Sequence, residues 1–379
     1  MPDLRERSIE IIRRNQAPSG AYVACPHFAP YRFCWLRDGT FTAYAMDRAG
    51  QHDSARRFYL WVGSVLRQGA ARVDRIARVV EQGGTPSSKD MLPTRYRLDG
   101  APEDDSWPNF QLDGYGTWLW GLAQHVRMTG DVGLVDRLND CVSLTLRYIS
   151  LCWRMPNYDC WEEFGDRLHP ATLACLYGGL TAARNLVKQD EAEKATRLAG
   201  DIRDYILRNG VLDRGAFGRR FAKSVGNSSI DASLLWLAVP FAAVDPVDPI
   251  MICTVDEIER HLYHRGVHRY PEDTYYGGGE WPLLACWLGW YYCLTGRPSL
   301  AAPILDWVEG CADERGELPE QVSDHVNDPE YVGVWVERWG PVARPLLWSH
   351  AMYLVLSHEV AELDGRDTDA SALRLVSRG

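Results

Sequence analysis

Features that assign a chain to several common protein classes are scarce in these 379 residues. No apolar run approaches the ~20 residues that a membrane span requires, so no membrane partner is expected. No long basic run occurs and the net charge is −10, which argues against a nucleic-acid partner. Hydrophobic residues make up 46% and charged residues 24%, a composition that excludes a disordered chain.

The first residues and the cysteines predict a cytoplasmic protein. Residues 1–7 are mostly charged or polar, and the apolar segment of a signal peptide does not follow them. The ten cysteines show no paired C-x-x-C spacing. Several of them, such as Cys175, Cys286 and Cys293, lie in apolar helical stretches. We therefore expect free, buried and reduced thiols.

Apolar residues recur at spacings of three and four along most of the chain, whereas strand patterns are few. The pattern predicts an all-α protein with about twelve helices. They are expected near residues 3–15, 38–49, 51–82, 111–129, 132–154, 169–188, 190–208, 229–242, 251–263, 280–295, 298–313 and 344–363.

Short and long connections alternate between these helices. The short ones lie around Gly50, Gly130, Gln189, Pro246 and Gly296. The long ones span 16–37, 83–110, 155–168, 209–228, 264–279 and 314–343. Every second connection of antiparallel helix pairs falls at the same end, so the long loops share one face. This predicts one (α/α)6-barrel domain over residues 1–379. An open repeat array is the alternative, but the short loops recur unevenly.

Two of the long loops end in polar and aromatic residues. Arg37 and Asp38 stand where a helix is expected to begin, and the simpler interpretation of the pair alone is that Asp38 caps that helix while Arg37 is solvated. Trp107 and Asp113 lie in the loop before the helix near 111. An aromatic ring beside polar groups suits sugar recognition, because the ring covers C–H faces while the polar groups bond hydroxyls.

Two further loops carry carboxylates. Glu162 and Glu163 follow Trp161, and an apolar neighbour with a like charge raises the pKa of a carboxylic acid. Asp159 lies three residues before Glu162, which is also the spacing of a helix capping box. Glu320 lies in the last long loop, where a lone glutamate is usually only solvated. Together these loops predict an acidic, aromatic-rimmed mouth, which is the chemistry of glycoside hydrolysis.

At these residues the sequence resembles glycoside hydrolase family 15, the glucoamylase family. The matching segments agree with the family in order and spacing. They are Tyr31 to Asp38, Trp107 to Asp113, Asp159 to Glu163, Arg269 to Tyr275, and Leu318 to Gln321. The resemblance implies an (α/α)6 barrel. It also implies hydrolysis with inversion at the anomeric carbon and release of glucose from non-reducing ends.

The resemblance also implies residue roles. Glu162 corresponds to the general acid and Glu320 to the general base, with Tyr31 supporting that base and its water. Arg37 and Asp38 would bond the hydroxyls of the terminal glucose in subsite −1. The remaining residues implied to line the sugar subsites are Trp35, Trp107, Asp113, Trp161, Glu163, Arg269, Asp273 and Trp281.

The substrate is expected to be a short α-gluco-oligosaccharide. The chain begins near the barrel and continues past about residue 364 only as a short polar tail, so we expect no starch-binding part. An α-1,6 linkage of the isomaltose type is favoured. An α-1,4-specific or a trehalose-cleaving enzyme is the alternative, and a non-catalytic sugar-binding barrel is the alternative class. The sequence carries no indication of oligomeric state.

Neither a cofactor nor a metal is expected. His261, His264 and His268 lie close together in sequence, but Gly266 interrupts the helix that they would need to bind a metal. Tryptophan is abundant, with 15 residues, and divides into two groups. Those within helices are expected in the core: Trp118, Trp120, Trp236, Trp287 and Trp290. Those in or beside long loops are expected to face a glucose unit: Trp35, Trp107, Trp161 and Trp281.

Overall fold

The computed structural model describes residues 3–101 and 107–376, with the backbone alone for 217 and 364–376. Helices dominate the described residues. The α-helices are α1 (Leu4–Arg14), α2 (Leu36–Arg48), α3 (His52–Glu81), α4 (Asp113–Thr129), α5 (Val132–Cys152), α6 (Pro170–Ala183), α7 (Gln189–Asn209), α8 (Pro249–Leu262), α9 (Pro282–Leu294), α10 (Pro298–Gly310), α11 (Glu330–Trp339) and α12 (Leu347–Val376). The strands form two antiparallel pairs, β1 (Cys34–Trp35) with β2 (Arg95–Tyr96), and β3 (Val211–Asp213) with β4 (Arg219–Phe221).

Six helical segments form a closed inner ring. In order they are α2, α4, α6, the 3₁₀ helix Ala232–Leu237, α9 and α12, which packs back onto α2. An outer helix packs against each inner segment: α3, α5, α7, α8, α10 and α1 in the same order. This confirms the all-α (α/α)6 barrel predicted from the alternating loops. None of the helices in the described parts of the chain is long and apolar enough to cross a membrane.

Residue pattern decides which helix is inner and which is outer. In α9 every residue from Pro282 to Cys293 is buried, as expected for a helix surrounded by others. In α7 the buried residues are Ala195, Ala199, Ile202 and Ile206, which form one stripe at helical spacing. The helices therefore sort into two layers by the width of their apolar face.

Glycine allows two inner helices to approach closely. A Cβ on Gly116 of α4 would lie 2.4 Å from the carbonyl oxygen of Cys175 in α6. A Cβ on Gly179 of α6 would lie 2.3 Å from the carbonyl oxygen of Gly116. Any side chain at either position would push these helices apart, so the two glycines set the local width of the ring.

Aromatic rings fill the barrel interior beneath the mouth. Phe41 stacks on Trp348 at 5.7 Å between centroids, and Trp236 packs edge-on to Trp287 at 4.7 Å. Four tryptophans predicted for the core accompany Trp236 in burial: Trp118, Trp120, Trp287 and Trp290. The packed rings form a floor, and Trp348 presents that floor to the cavity above.

Two predicted elements were wrong. The helix expected over 229–242 is only the 3₁₀ helix Ala232–Leu237, because Pro240 disfavours a helical conformation at Val239. The stretch 314–343, expected to be a loop, contains α11. Val332, Trp335, Val336 and Trp339 carry helical spacing within it.

Candidate active site

The loops predicted to meet at the mouth do enclose a cavity of about 480 Å³. This lies within the ~300–1,000 Å³ typical of small-molecule sites. Among its lining residues are most of those predicted from sequence: Tyr31, Trp35, Arg37, Asp38, Trp107, Trp161, Glu162, Glu163, Arg269, Trp281 and Glu320. Asp113 and Asp273 are not among the described residues that line it.

Glu162 lies in a tight turn of the loop between α5 and α6. The carboxylate of Asp159 accepts the N–H groups of Trp161 at 3.0 Å and Glu163 at 2.9 Å. Glu162 itself has a φ of +68°, a left-handed conformation that costs free energy in a residue with a side chain. The spacing of Asp159 and Glu162 thus belongs to this turn and not to a capped helix. The turn presents the Glu162 side chain to the cavity.

Burial gives the Glu162 carboxyl the character of an acid. Its pKa is raised to about 7 by burial, opposed by the charge of Arg37 and by hydrogen bonds from Trp35 and Gln111. The indole Nε1 of Trp35 donates to Glu162 Oε1. A carboxyl with this pKa is about half protonated at pH 7, so it can donate a proton there as a general acid does.

Glu320 lies on the segment after α10 and lines the same cavity. Burial raises its pKa to about 8, opposed by the hydroxyls of Tyr31 and Tyr275 and by the charge of Arg269. These two hydroxyls are 2.9 Å apart. An ionised base in a wetter or donor-rich setting was expected. The structure provides the donors, but the side chain is buried, and a pKa of about 8 leaves it mostly protonated at neutral pH.

Arg37 closes one end of the cavity. Its Nη1 donates to Gln111 Oε1 at 3.0 Å and to Asp113 Oδ2 at 2.8 Å, and its Nε lies 3.3 Å from Asp38 Oδ2. The guanidinium also lies over the Trp348 ring at 5.1 Å. Asp113, predicted to line a sugar subsite, therefore lies behind Arg37 and holds it in place. Burial raises the pKa of Asp38 to about 6, while Arg37 lowers it.

A second buried arginine forms another wall. The Nε of Arg269 donates to Asp273 Oδ2 at 2.7 Å, and its Nη2 donates to Asp273 Oδ1. Asp273 also accepts the N–H of Tyr275 at 2.9 Å, so it fixes the loop as well as the guanidinium. Like Asp113, it supports an arginine from behind. Four rings surround the guanidinium at 5.2–5.5 Å: Trp161, Tyr270, Tyr275 and Trp281.

Sequence reasoning missed the part of the site that α11 provides. Trp335, Arg338 and Trp339 of this helix line the cavity. Trp335 Nε1 donates to the carbonyl of Thr274 at 2.9 Å, and Trp339 stacks on Trp107 at 6.3 Å and 24°. The signal was the helical spacing of the tryptophans. It went unused because the surrounding segment was expected to be a loop. Tyr275 and Trp348 are the other aromatic residues that were missed.

Comparison with known proteins decides the family. The model of the family described as "Glycosyl hydrolases family 15" matches residues 5–302. The chain belongs to glycoside hydrolase family 15. It is therefore a glycoside hydrolase, and its substrate is a sugar, as the resemblance implied. Membership of family 15 argues against the alternative of a non-catalytic sugar-binding barrel.

Three similar proteins cover most of this chain. Isomaltose glucohydrolase of Kribbella flavida is 40% identical over 374 residues, which is 97% of this chain and 95% of the relative. A glycosidase variant solved in complex with glucose is 38% identical with a TM-score of 0.90, over 94% of this chain and 96% of that chain. A glucoamylase of Clostridium sp. is 26% identical, over 86% of this chain and 46% of the relative.

Proposed function

We propose that this family 15 member is an exo-acting α-glucosidase. It would release β-glucose, with inversion, from the non-reducing end of short α-gluco-oligosaccharides, preferentially across α-1,6 linkages. The observation that carries the proposal is the pair of carboxyl groups, part-buried Glu162 and buried Glu320, in a cavity that Arg37 closes at one end. Similarity to an isomaltose glucohydrolase over nearly the whole chain supports the linkage.

The two carboxyl groups divide the reaction between them. Glu162 donates its proton to the glycosidic oxygen as the C1–O bond breaks. Glu320 accepts a proton from the water that attacks C1 on the opposite face, so an α-glycoside yields β-glucose. Such a pair works at a separation of about 6.5–9.5 Å, which leaves room for the water. The proton gained by Glu320 and the proton lost by Glu162 balance through solvent after each turnover.

Exo action follows from the closed end of the cavity. Arg37 and Asp38 present donors and acceptors for the hydroxyls of one terminal sugar, and Trp348 lies beneath them as an apolar floor. Arg37 is immobilised by Asp113 and Gln111, so it cannot move aside for a continuing chain without breaking two buried hydrogen bonds.

The preference for short substrates is inferred from the end of the cavity away from Arg37. The stacked pair Trp107 and Trp339 bridges the loop before α4 and helix α11, and we propose that this pair forms the entrance wall that limits substrate length. Arg338 lies over the rings of Trp335 and Trp339 at 5.1 and 5.0 Å. A cavity of about 480 Å³ with these walls suits one or two sugar units beyond the closed end more than a long polymer.

The linkage is tested by a substrate panel. We expect kcat/KM to be highest for isomaltose, with maltose, trehalose and the longer homologues of isomaltose lower. A maximum at maltose would replace the α-1,6 preference with the α-1,4 alternative, which the glucoamylase relative makes the next candidate. A maximum at trehalose would replace it with trehalose cleavage. Neither result would remove exo-glucosidase activity.

The stereochemistry is tested by observing the first product. Proton NMR during the first minutes should show β-glucose accumulating before mutarotation produces the α-anomer. Running the reaction with enough enzyme to finish before mutarotation is the necessary control. Early accumulation of α-glucose would disprove inversion while leaving the exo-glucosidase proposal standing.

A further inference from the structure

A cluster of three histidines lies on the outer side of the loops that carry part of the site. His264, His268 and His325 place a ring nitrogen each within 4.8 Å of one another. His268 is 1% exposed, whereas the other two are exposed. None of the three is among the described residues that line the sugar cavity.

The cluster differs from the set that sequence proximity suggested. His261 remains on α8, where its Nε2 lies 3.6 Å from Glu257 Oε2. Its place is taken by His325, which comes from the segment between α10 and α11. The turn at Gly266 does not prevent the grouping, because it folds His264 and His268 onto one side, with His264 N–H donating to the Gly266 carbonyl at 3.1 Å.

The buried histidine is held in the orientation that a ligand needs. His268 Nδ1 lies 2.8 Å from the carbonyl oxygen of Gly278, which can only accept, so Nδ1 carries the proton. In the neutral ring, Nε2 then presents its lone pair, and it lies 3.2 Å from His325 Nδ1. A backbone carbonyl that fixes the tautomer in this way is the usual outer partner of a metal-binding histidine.

The separations suit a small divalent ion. At ~2.0–2.1 Å from nitrogen to zinc, two tetrahedral ligands lie about 3.4 Å apart. The 3.2 Å between His268 and His325 is close to this, and the widest separation, at most 4.8 Å, must shrink by about 1.4 Å. His264 and His325 are exposed, so rotation of their side chains can supply that movement.

A buried negative charge lies nearby. The Glu280 side chain is 2% exposed and accepts the N–H groups of Arg265 at 3.1 Å and Gly266 at 3.0 Å. Its charge acts on His268 in the sense that favours a positive charge there. A divalent cation held by neutral imidazoles would therefore gain from Glu280 without coordinating it.

We propose that His264, His268 and His325 bind one divalent transition-metal ion of the Zn²⁺ class, with a fourth position open to solvent or another ligand. Imidazole nitrogen suits zinc, copper and nickel. The ion would join the turn after α8 to the segment after α10. The same two segments are already linked by backbone pairing of Glu280 with Val322, two residues beyond Glu320. We assign the site to stabilisation of this junction, separate from the sugar chemistry.

The test titrates ZnCl₂ into the metal-stripped full chain by calorimetry, with CoCl₂ absorption to report coordination geometry. We expect one equivalent to bind with a Kd below about 1 µM, or about 8 kcal/mol. Zinc should also raise the melting temperature. His264→Ala and His325→Ala should each weaken binding at least about tenfold and abolish the zinc-dependent rise in melting temperature. Both residues are exposed, so these variants keep the buried contact of His268 with the Gly278 carbonyl.

His261→Ala is the matched control, since it removes a neighbouring exposed histidine outside the cluster. It should bind zinc as the wild type does. Wild-type binding weaker than about 100 µM, or equal loss in the control and the cluster variants, would overturn the proposal. So would a cobalt spectrum of six-coordinate form in the wild type. None of these measurements depends on hydrolysis of any sugar.

Discussion

The two loops that bring Glu162 and Glu320 to the cavity hold these carboxyl groups by different means. In one loop, Glu162 sits in a strained turn that the Asp159 side chain organises, and an indole N–H is its donor. In the other, Glu320 precedes a backbone pairing of Glu280 with Val322, and tyrosine hydroxyls are its donors. Burial raises the pKa of both, yet the partners that oppose it are not of the same kind.

The kinds of donor match the proposed roles, whereas the two pKa values stand in the reverse order, with the acid at about 7 and the base at about 8. An indole N–H can donate but never accept, so Trp35 orients Glu162 whichever protonation state that group has. A hydroxyl both donates and accepts, so Tyr31 and Tyr275 can stabilise ionised Glu320 and still adjust when it gains a proton. The proposed acid, Glu162, needs a donor that fixes its orientation. The proposed base, Glu320, needs hydrogen-bond partners that can adapt when it changes between the ionised and the protonated form.

The largest expected effect comes from removing each carboxyl in turn. Glu162→Gln and Glu320→Gln should each lower kcat on a disaccharide by about 10²–10⁴-fold, the usual contribution of a general acid or base. Steady-state kinetics measures this, with Glu314→Gln, exposed in the same segment as Glu320, as the matched control. Wild-type activity in either variant would remove that residue from the mechanism.

A leaving group that needs no proton separates the two variants. Fluoride departs without protonation, so Glu162→Gln should recover much of its activity on α-glucosyl fluoride. Glu320→Gln should not, since activation of water is still required. Recovery in the Glu320 variant instead would exchange the two assignments.

The next effect concerns the pH dependence of the rate, which tests the hydrogen-bond donors to Glu162 and Glu320. Below both pKa values the rate follows the ionised fraction of Glu320, and above both it follows the protonated fraction of Glu162. Tyr275→Phe removes a donor and so raises the pKa of Glu320, which lowers the rate on the acidic side. Trp35→Phe raises the pKa of Glu162, which raises the relative rate on the alkaline side. One hydrogen bond suggests shifts of about one pH unit, or tenfold.

The measurement is kcat/KM from pH 5 to pH 10 for the wild type and both variants, compared as absolute values at each end of the range. The wild type should show a bell with limbs near pH 7 and pH 8. A rate change confined to the same end of the pH range in both variants would mean that the indole and the hydroxyls do not act on separate groups.

The sequence was sufficient to predict the ring of helices and most of the residues that line the cavity. The alternation of long and short loops can be read from the sequence alone. In any antiparallel arrangement of helices it places the long loops at one end, so it predicted the mouth without information on packing. The motif residues in those loops followed, apart from Asp113 and Asp273, which support arginines from behind. The prediction that residues 1–379 form one domain stays a prediction.

What sequence reasoning missed depends on contacts between distant segments. No local pattern shows that the Tyr275 hydroxyl meets Tyr31, 244 residues away, or that His325 joins His264. Helix α11 was missed for a related reason. None of its residues is fully buried, so its apolar stripe faces a substrate cavity and Tyr275–Gly277 in place of a core.

A smaller effect is expected on stability, because the charged form of each carboxyl is costly in the fold. Each carboxyl has an ordinary pKa of 4.5, and the fold raises it. The contribution of the protonated group to the free energy of unfolding is therefore fully present below about pH 4.5. It is lost as the pH rises through about 7 for Glu162 and about 8 for Glu320. Replacement by Gln should therefore stabilise the protein at pH 9 and have little effect at pH 4.5. The gain should be larger for Glu320→Gln by about 1.4 kcal/mol, one pKa unit.

Urea unfolding of both variants and the wild type at pH 4.5 and pH 9 measures these differences. Equal gains at both pH values would show that side-chain shape, and not charge, sets the stability. A larger gain for Glu162→Gln would reverse the ranking of the two sites. Glu314→Gln again serves as the control, because its exposed side chain should change neither value.

The smallest effect concerns the stacked tryptophans that join the loop before α4 to helix α11. Trp107 is braced by the Arg95 guanidinium at 3.8 Å and contacts Trp35, whereas Trp339 belongs to the largely exposed α11. Trp339→Ala should raise KM for a disaccharide about two- to tenfold, since an aromatic contact is worth ~0.5–1.5 kcal/mol, with kcat nearly unchanged. Trp107→Ala should lower kcat as well, because Trp35 loses a neighbour while holding Glu162.

Tyr331→Ala is the control for α11, since that exposed residue lies on the same helix without lining the cavity in the described structure. The double variant then decides whether the two rings form one wall. If they do, removing the second ring after the first should cost less than removing it alone, as for any pair in contact. Strict additivity would mean that the two rings do not form one wall. A fall in kcat for Trp339→Ala equal to that for Trp107→Ala would mean that α11 acts on the chemistry through Tyr275 and not only on the width of the entrance.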